Sequence, residues 1–531
     1  MKRLLPIGIQ DFTDIRERGF VYIDKTARIH DLISGSGKPF FLARPRRFGK
    51  SLLCSTFKAI FEGRRELFGE MAGQPALAIN SLDWEWKKHP VIRLDLNAGV
   101  YSNGVESLHS ILHYELNKEA QRYGITLEPE NVISQFKYLI KTANEKAGEK
   151  TVVIIDEYDK PLLETMTDRD LHIAIRNELR GVYGVLKSSD EFLRFVFLTG
   201  VTEACIASPF SHVSVFSDLN QLVDLTLNPR YADICGLTEE EVLQDLEPEI
   251  AEVLNDTGRE RETYLENLRR YYNGYRFSDK PFKVYNPFGL LNHFYNNGKF
   301  LPYWYETGTP SFLIKLISKQ KIDIANLDKM KLKYEDFRKY DIENMDALPI
   351  LHQSGYLTIT SYDEDDNSFT LDYPNLEVRA SFSKSLLEQV LNAPNDKSNT
   401  LIDKLPAAFR SGNIEEAIDA LRQYLAAVPY DIIKETENYY ETAVHLIFSM
   451  LGLNCRSEVR IASGRIDTIV ETKDFVYCFE FKIDKTADEA LAQIDSKDYL
   501  LPWAGSGKKL FKVGVNFDSE KHNIGDWKYN K

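Results

Sequence analysis

Lys50 and Ser51 follow Gly49 directly and open an apolar-periodic segment, Leu52 to Phe57, and that order of residue types suits phosphate chemistry. Backbone N–H groups at a helix N-terminus point at an anion, a lysine there reaches the β and γ phosphates, and a hydroxyl holds Mg²⁺. Farther along, Asp156 and Glu157 end the apolar run Val152-Val153-Ile154-Ile155. Acids at the tip of a buried strand need a reason. In phosphoryl transfer the first holds Mg²⁺ through water, and the second positions or activates the attacking water. A third group lies toward the C-terminal end. Asp467 interrupts an otherwise apolar strand, and Glu480 and Lys482 are two residues apart, so both project from one face. If Asp467 comes alongside, two carboxylates and a lysine converge on a hole suited to hard, oxygen-seeking Mg²⁺ or Mn²⁺. Such a centre could hydrolyse a phosphodiester, the metal activating water and Lys482 orienting the attack or neutralising charge.

Each group also has a plainer reading. In the pattern G-x-x-x-x-G-K-[ST] the first glycine would fall at Arg44, so Arg44-Pro45-Arg46-Arg47-Phe48-Gly49-Lys50-Ser51 equally describes a basic turn capping a helix. A strand that emerges into solvent can end in Asp156 and Glu157, and E-x-K alone describes an ordinary cross-strand salt bridge. The strand, loop and helix at Lys50 and the acid-tipped strand downstream gain weight from occurring together, and jointly they favour a nucleotide site. Thr199, at the end of the run Phe192 to Gly200, either senses the γ-phosphate or starts a turn before Gly200. Asp24-Lys25-Thr26 reads as a helix cap.

These residues need elements to carry them. Strands at Phe40 to Leu42, Pro90 to Leu96, Thr151 to Glu157 and Phe192 to Gly200 alternate with helical stretches such as Val105 to Tyr123, which predicts a parallel sheet covered on both faces. After Gly236 the texture changes. Thr238 caps a charged helical stretch reaching Tyr272, and the aromatics of Tyr271 to Phe277 are expected to pack. Two strands around the acidic turn Asp363 to Asn367 predict a β-hairpin and a winged-helix-like region. Its acidic tip favours a structural or regulatory role over contact with nucleic acid. Leu386 to Pro429 reads as helical with a break at Gly412-Asn413. From Glu435 the expected order is a helix Thr436 to Leu451, strands Cys455 to Ile461, Arg465 to Glu471 and Phe475 to Ile483, a helix Ala487 to Tyr499 and a final strand Leu510 to Asn516.

With 531 residues the chain exceeds one core, and 43% hydrophobic with 12% aromatic residues describes a globular protein. The five cysteines, Cys54, Cys205, Cys235, Cys455 and Cys478, form no C-x-x-C pair, so buried thiols are expected in place of a disulfide framework or zinc site. No 18-residue apolar run occurs and Met1 to Pro6 lacks a long apolar region, so neither signal nor membrane span is expected and the protein is placed in the cytoplasm. A net charge of -14 argues against coating nucleic acid by bulk attraction and leaves local basic patches to do that work.

Several motifs together carry a resemblance: R-P-R-R-F-G-K-S at Arg44 to Ser51, Y-I-D-K-T at Tyr22 to Thr26, I-D-E-Y-D-K-P at Ile155 to Pro161, L-T-G-V-T at Leu198 to Thr202 and F-S-D-L-N at Phe216 to Asn220. They resemble the bacterial AAA-ATPase-like family, and the loop without its first glycine looks like that family's own variant. Toward the C-terminus, D-(x)12-E-x-K between Asp467 and Lys482, flanked by helices, resembles the PD-(D/E)xK nuclease superfamily. The resemblance implies an α/β architecture in three parts: a P-loop NTPase parallel sheet over residues 1–235, a helical and winged-helix-like middle region over 236–385, and a helical linker with a restriction-endonuclease-like domain over 386–531. It implies ATP and Mg²⁺ at Gly49, Lys50, Ser51 and Asp156, with Glu157 catalytic. Arg46 and Arg47 stay open between phosphate contacts and exposed charge. At the second site it implies Mg²⁺ or Mn²⁺ on Asp467 and Glu480, Lys482 as the catalytic lysine, Gln493 as an auxiliary residue and Glu437 or Glu441 as an accessory acid. The expected activity is ATP-gated cleavage of nucleic acid, DNA before RNA. The rival is a regulatory or signalling ATPase whose nuclease-like domain only binds nucleic acid or protein. An arginine finger from a neighbouring subunit would imply a homo-oligomer, with Arg194 and Arg230 as candidates that stay open between that role and ordinary surface arginines.

Overall fold

The computed structural model describes residues 3–35, 39–202, 222–307, 311–320, 322, 327, 330–338, 346–390, 404–426, 439–450 and 454–531. The chain forms two compact units, one of Met1–Trp304 with Lys329–Asn375, the other of Tyr305–Asp328 with Leu376–Lys531.

In the first unit β1 (Pro39–Ala43), β2 (Val91–Asp95), β3 (Thr151–Asp156), β4 (Leu193–Gly200) and β5 (Val223–Asp224) make a parallel sheet in the order β2-β3-β4-β1-β5. β1, β3 and β4 are near-continuous apolar runs because helices cover both faces. On one face Leu108, Leu112 and Leu116 of the helix Val105–Arg122 join Phe136 and Leu139 of Val132–Ala147 and Leu179 and Val182 of Arg169–Ser188. On the other, Phe57 of the helix Lys50–Phe61 meets Phe195 and Phe197 at 5.2 and 4.8 Å between ring centroids. Because β4 lies between β1 and β3, Ala43, Gly200 and Asp156 end neighbouring strands at one carboxyl edge, where ligands of open parallel sheets bind.

The same unit carries the helices Glu239–Asp245, Glu247–Thr257, Arg261–Tyr272 and Pro287–Tyr295, packed through Val242, Leu246, Ile250, Leu268, Leu290 and Phe294. The expected cap at Thr238 is a full capping box: the Glu241 N–H donates to Thr238 Oγ1 at 3.1 Å and the Thr238 N–H to Glu241 Oε2 at 2.8 Å. The expected hairpin is β7 (Thr358–Asp363) with β8 (Ser368–Asp372), and β6 (Lys331–Lys333) adds a third strand against β8.

The second unit holds β9 (Asn454–Ile461), β10 (Gly464–Glu471), β11 (Phe475–Ile483), β12 (Lys509–Asp518) and β13 (Asn523–Asn530), ordered β13-β12-β11-β10-β9. β11 and β12 run parallel and the other pairs antiparallel. The helix Ala487–Ser496 lies against one face so closely that a Cβ on Gly514 would stand 2.5 Å from the Ala487 carbonyl. Phe409 and Phe448 cover the other face at Tyr477 and Phe479, at 5.1 and 5.2 Å. Two boundaries differ from expectation. β12 is followed by β13, an edge strand whose alternate residues are exposed and whose apolar signal is weak. The preceding helix stops at Ser496 because Asp498 turns left-handed, at φ 46°. Among the described cysteines Cys54, Cys235 and Cys478 are buried, Cys455 is half-buried and all four are free thiols; Cys205 lies outside the described residues. No helix among the described residues is long and apolar enough to cross a membrane.

Candidate functional site

At the first site β1 leads into the loop Arg44 to Gly49. Gly49, at φ 91°, occupies a left-handed position that glycine takes without strain, and it is the N-cap of the helix starting at Lys50. Arg47 is left-handed too, at φ 65°, the kind of strained backbone that clusters where loops grip ligands. Arg44, standing where the pattern has its first glycine, is buried. Its guanidinium donates to the carbonyls of Ala43 (2.8 Å), Thr226 (2.9 Å) and Tyr231 (3.2 Å), and it lies over the Phe277 ring at 4.2 Å. Phe48 is inserted between Tyr275 and Phe277, with centroids at 4.8 and 5.5 Å. Side chains therefore fix this loop where glycines would otherwise wrap it.

Lys50 Nζ donates to the loop carbonyls of Arg44 (3.0 Å) and Pro45 (3.2 Å) and stands 3.5 Å from Glu157. Asp156 is 1% exposed; its Oδ2 accepts from Arg93 at 3.2 Å and its Oδ1 is buried without a hydrogen-bond partner. Burial raises its pKa, while the neighbouring Arg93 and the Ser51 hydroxyl oppose the rise. Glu157 sits at φ 53°, another left-handed residue, so the chain turns sharply as the strand ends. Thr199 is fully buried and donates its hydroxyl to the Leu42 carbonyl at 2.7 Å, tying β4 to β1. Arg46 donates to the Tyr356 hydroxyl at 2.8 Å and lies 5.5 Å from the Trp304 ring; exposed Arg47 lies over Phe288 at 5.0 Å. Arg194 donates to the Ile33 carbonyl at 3.3 Å and Arg230 pairs with Asp31. The motif at Phe216 to Asn220 lies outside the described residues.

Two features here escaped the sequence reading. Asp159, within the motif I-D-E-Y-D-K-P, is buried and accepts from Val201 N–H (3.0 Å), Thr202 N–H (2.7 Å) and the Thr202 hydroxyl (2.8 Å), so it fixes the turn after β4. Gly200 makes that approach feasible, since a Cβ there would fall 2.2 Å from Asp159 Oδ1. Beside Gly49 to Leu53 lies an apolar cavity of about 110 Å³, walled by Tyr22, Ile23, Leu52, Ile234, Leu237 and Pro287. The Y-I-D-K-T motif supplies the first two residues; Asp24 within it accepts the Thr26 N–H at 2.8 Å and the Ala78 N–H at 2.7 Å, while the N-cap of the helix Thr26–Ile33 is Lys25, whose side chain makes no cap bond.

The second site forms where β10 and β11 part. Their ladder includes Thr468 opposite Phe479; beyond it Asp467 Oδ2 accepts the Phe481 N–H at 2.8 Å. Glu480 is 1% exposed. Its Oε1 accepts from Lys482 Nζ at 2.8 Å, and its Oε2 is buried without a hydrogen-bond partner. Burial and then the Asp467 charge push the Glu480 pKa up to about 7, with Lys482 opposing. Lys482 also donates to Gln493 Oε1 at 2.8 Å, and Gln493 Nε2 donates to the Tyr499 hydroxyl at 3.2 Å. Tyr499 was not singled out by its sequence; the bond fixes which way the Gln493 amide faces. Glu437 lies outside the described residues, and Glu441 falls on the helix Tyr439–Met450.

Both sites suit a hard cation. Each has one buried carboxylate oxygen without a partner, Asp156 Oδ1 and Glu480 Oε2. No cluster of three or more His, Cys, Asp or Glu side chains able to hold a metal ion forms among the described residues. Mg²⁺ is commonly held by one or two carboxylates, with water and phosphate oxygens completing its octahedron, and needs no larger cluster.

The profile of a family described as predicted AAA-ATPase matches residues 6–210, and that of the PD-(D/E)XK nuclease superfamily matches residues 435–527. Along nearly its whole length the chain is also similar to an uncharacterized protein in the vnfD 5′ region of Azotobacter chroococcum mcd 1. The two are 34% identical over 537 residues, which covers 98% of this chain and 98% of that protein.

Proposed function

Since the chain belongs to the predicted AAA-ATPase family and carries a PD-(D/E)XK nuclease superfamily domain toward its C-terminal end, we propose that it binds and hydrolyses ATP and cleaves nucleic-acid phosphodiesters. The observation that carries this reading is that two of the three acids expected to hold metal, Asp156 and Glu480, each keep one buried oxygen without a partner. A buried carboxylate oxygen left so is costly unless a ligand completes it.

At the first site the apolar cavity takes the nucleoside base, while Lys50 exchanges the Arg44 and Pro45 carbonyls for phosphate oxygens. Gly49, Ser51, Arg46 and Arg47 line the phosphate path, and Asp156 with Ser51 would hold Mg²⁺. Glu157, 3.5 Å from Lys50, orients the attacking water, and Thr199 serves as the γ-phosphate sensor once its hydroxyl leaves Leu42. At the second site Asp467 and Glu480 would hold Mg²⁺ or Mn²⁺. Lys482, fixed between Glu480 and Gln493, presents its ammonium to the scissile phosphate. Bound divalent metal would supply charge neutralisation and an activated water at both sites. ATP gates or positions cleavage, with DNA the preferred substrate, in the cytoplasm. The three-part division at residues 235 and 385 belongs to the same proposal.

The test is plasmid nicking with Mg²⁺ or Mn²⁺, measured with and without ATP, beside phosphate release. Asp467→Ala is expected to abolish nicking and keep ATP turnover, and Glu157→Gln to keep ATP binding and stop hydrolysis. A wild-type protein that cleaves no DNA or RNA removes the nuclease half. Unchanged phosphate release in Glu157→Gln removes the role given to that residue.

A further inference from the structure

β2 runs beside β3 with Arg93 in register with Ile154 and Asp95 in register with Asp156, so both β2 side chains share the face of Asp156. The neighbours of Arg93 along the strand, Val91, Ile92 and Leu94, are buried apolar residues, and a cation among them requires a partner. Its partner is Asp156, at 3.2 Å from Nη2, in a pair whose side chains are 19% and 1% exposed. Arg93 Nε makes no hydrogen bond among the described residues. Cys54, from the helix that begins with Lys50, lies near the pair: burial raises its thiol pKa, and the Asp156 charge adds to the rise.

Two of the carboxylates at this edge face a cation, while Asp95, on the same face, adds a further negative charge. Asp156 has Arg93, and Glu157 has Lys50 at 3.5 Å. A bare divalent cation approaching Asp156 meets a carboxylate whose charge is offset, so the attraction is weak; the same cation arriving with phosphates brings its own anionic ligands. The contact is also one-sided. Arg93 takes Oδ2 and leaves Oδ1, the oxygen without a partner. We infer that Arg93 is a positioning residue of this site, which holds Asp156 by one oxygen, leaves the other for the metal and makes metal entry depend on the phosphates of the nucleotide. The inference rests on reading the first site as a nucleotide site.

Mn²⁺ binding, followed by the electron paramagnetic resonance of the free ion with and without ADP, tests it in the full-length chain. An Asp467→Ala background removes the second metal centre from the count. The parent is expected to bind Mn²⁺ weakly alone and tightly with ADP. Arg93→Gln, neutral yet still able to donate to Oδ2, is expected to bind Mn²⁺ alone at least ~10-fold more tightly, narrowing the gain from ADP. Arg93→Lys, which keeps the charge, is expected to match the parent. Unchanged or weaker metal-only binding in Arg93→Gln overturns the inference, as does a tenfold gain in Arg93→Lys. If Arg93→Gln does not fold, Arg93→Met, neutral and of similar length, takes its place with the same expected gain and the same refuting outcome. A parent that binds no ADP removes the nucleotide reading itself, and the inference with it.

Discussion

Glu480 turns the second site into a proton-metal competition with a definite pH window. Its carboxyl is pushed from an ordinary 4.5 up to about 7, chiefly by burial and then by Asp467. At 1.36 kcal/mol per unit that shift corresponds to about 3 kcal/mol of preference for the protonated form in the folded protein. Because the folded pKa is the higher one, this contribution to stability is fully present below about 4.5 and is lost as pH rises through about 7. Metal needs the ionised form. Mn²⁺ affinity should therefore be flat above pH ~8 and fall about tenfold per unit below pH ~7, roughly 100-fold between pH 8 and pH 5. Titration calorimetry on an Asp156→Ala background, which silences the first site, measures this directly. Repeating it in buffers of different ionisation enthalpy counts protons, with close to one released per metal at pH ~6. Lys482→Met removes the opposing cation and should move the midpoint above 7, in the basic direction. An affinity that stays constant from pH 5.5 to 8, with no proton release, would refute the reasoning.

Phe48→Ala removes the ring seated between Tyr275 and Phe277 and should cost about 3 kcal/mol locally; ADP affinity by calorimetry is expected to drop at least ~10-fold while nuclease activity without ATP is kept. Thr238→Ala breaks the capping box for about 1 kcal/mol, so amide exchange in the helix Glu239–Asp245 should quicken about fivefold with ATP turnover unchanged. Tyr499→Phe frees the Gln493 amide to flip away from Lys482; maximal cleavage rate is expected to fall several-fold with little change in the half-saturating DNA concentration, and an unaltered rate would remove Tyr499 from the site.

The elements that carry chemistry were legible because buried parallel strands leave long apolar runs, and an acid ending such a run stands out, as Asp156 does after Ile155. Asp467, Glu480, Lys482 and Gln493 converge because two of them share a strand face and the register of β10 on β11 supplies a third. What stayed hidden depends on order in space. Nothing local in Val91-Ile92-Arg93 says that β2 lies beside β3, and Asp159 acquires its role only because β4 turns back over it. Thr199 shows the same limit: its position at a strand end was readable, but its bond to Leu42 follows from the pairing of β4 with β1. β13 escaped because an edge strand keeps one face in water and so writes a faint pattern.

The aromatic seat of the phosphate loop has a consequence for how this protein can vary. Phe48 is held by Tyr275 and Phe277, more than two hundred positions downstream, and Arg44 by the Thr226 and Tyr231 carbonyls and the Phe277 ring, so the loop has no shape of its own to lend. Transplanting Arg44 to Ser51 into another sheet would carry the residues without the conformation. A fragment cut after residue 235 would leave the Phe48 ring without its seat and invite self-association through it. Substituting Tyr275 or Phe277 therefore disturbs the phosphate loop as directly as substituting Phe48 itself.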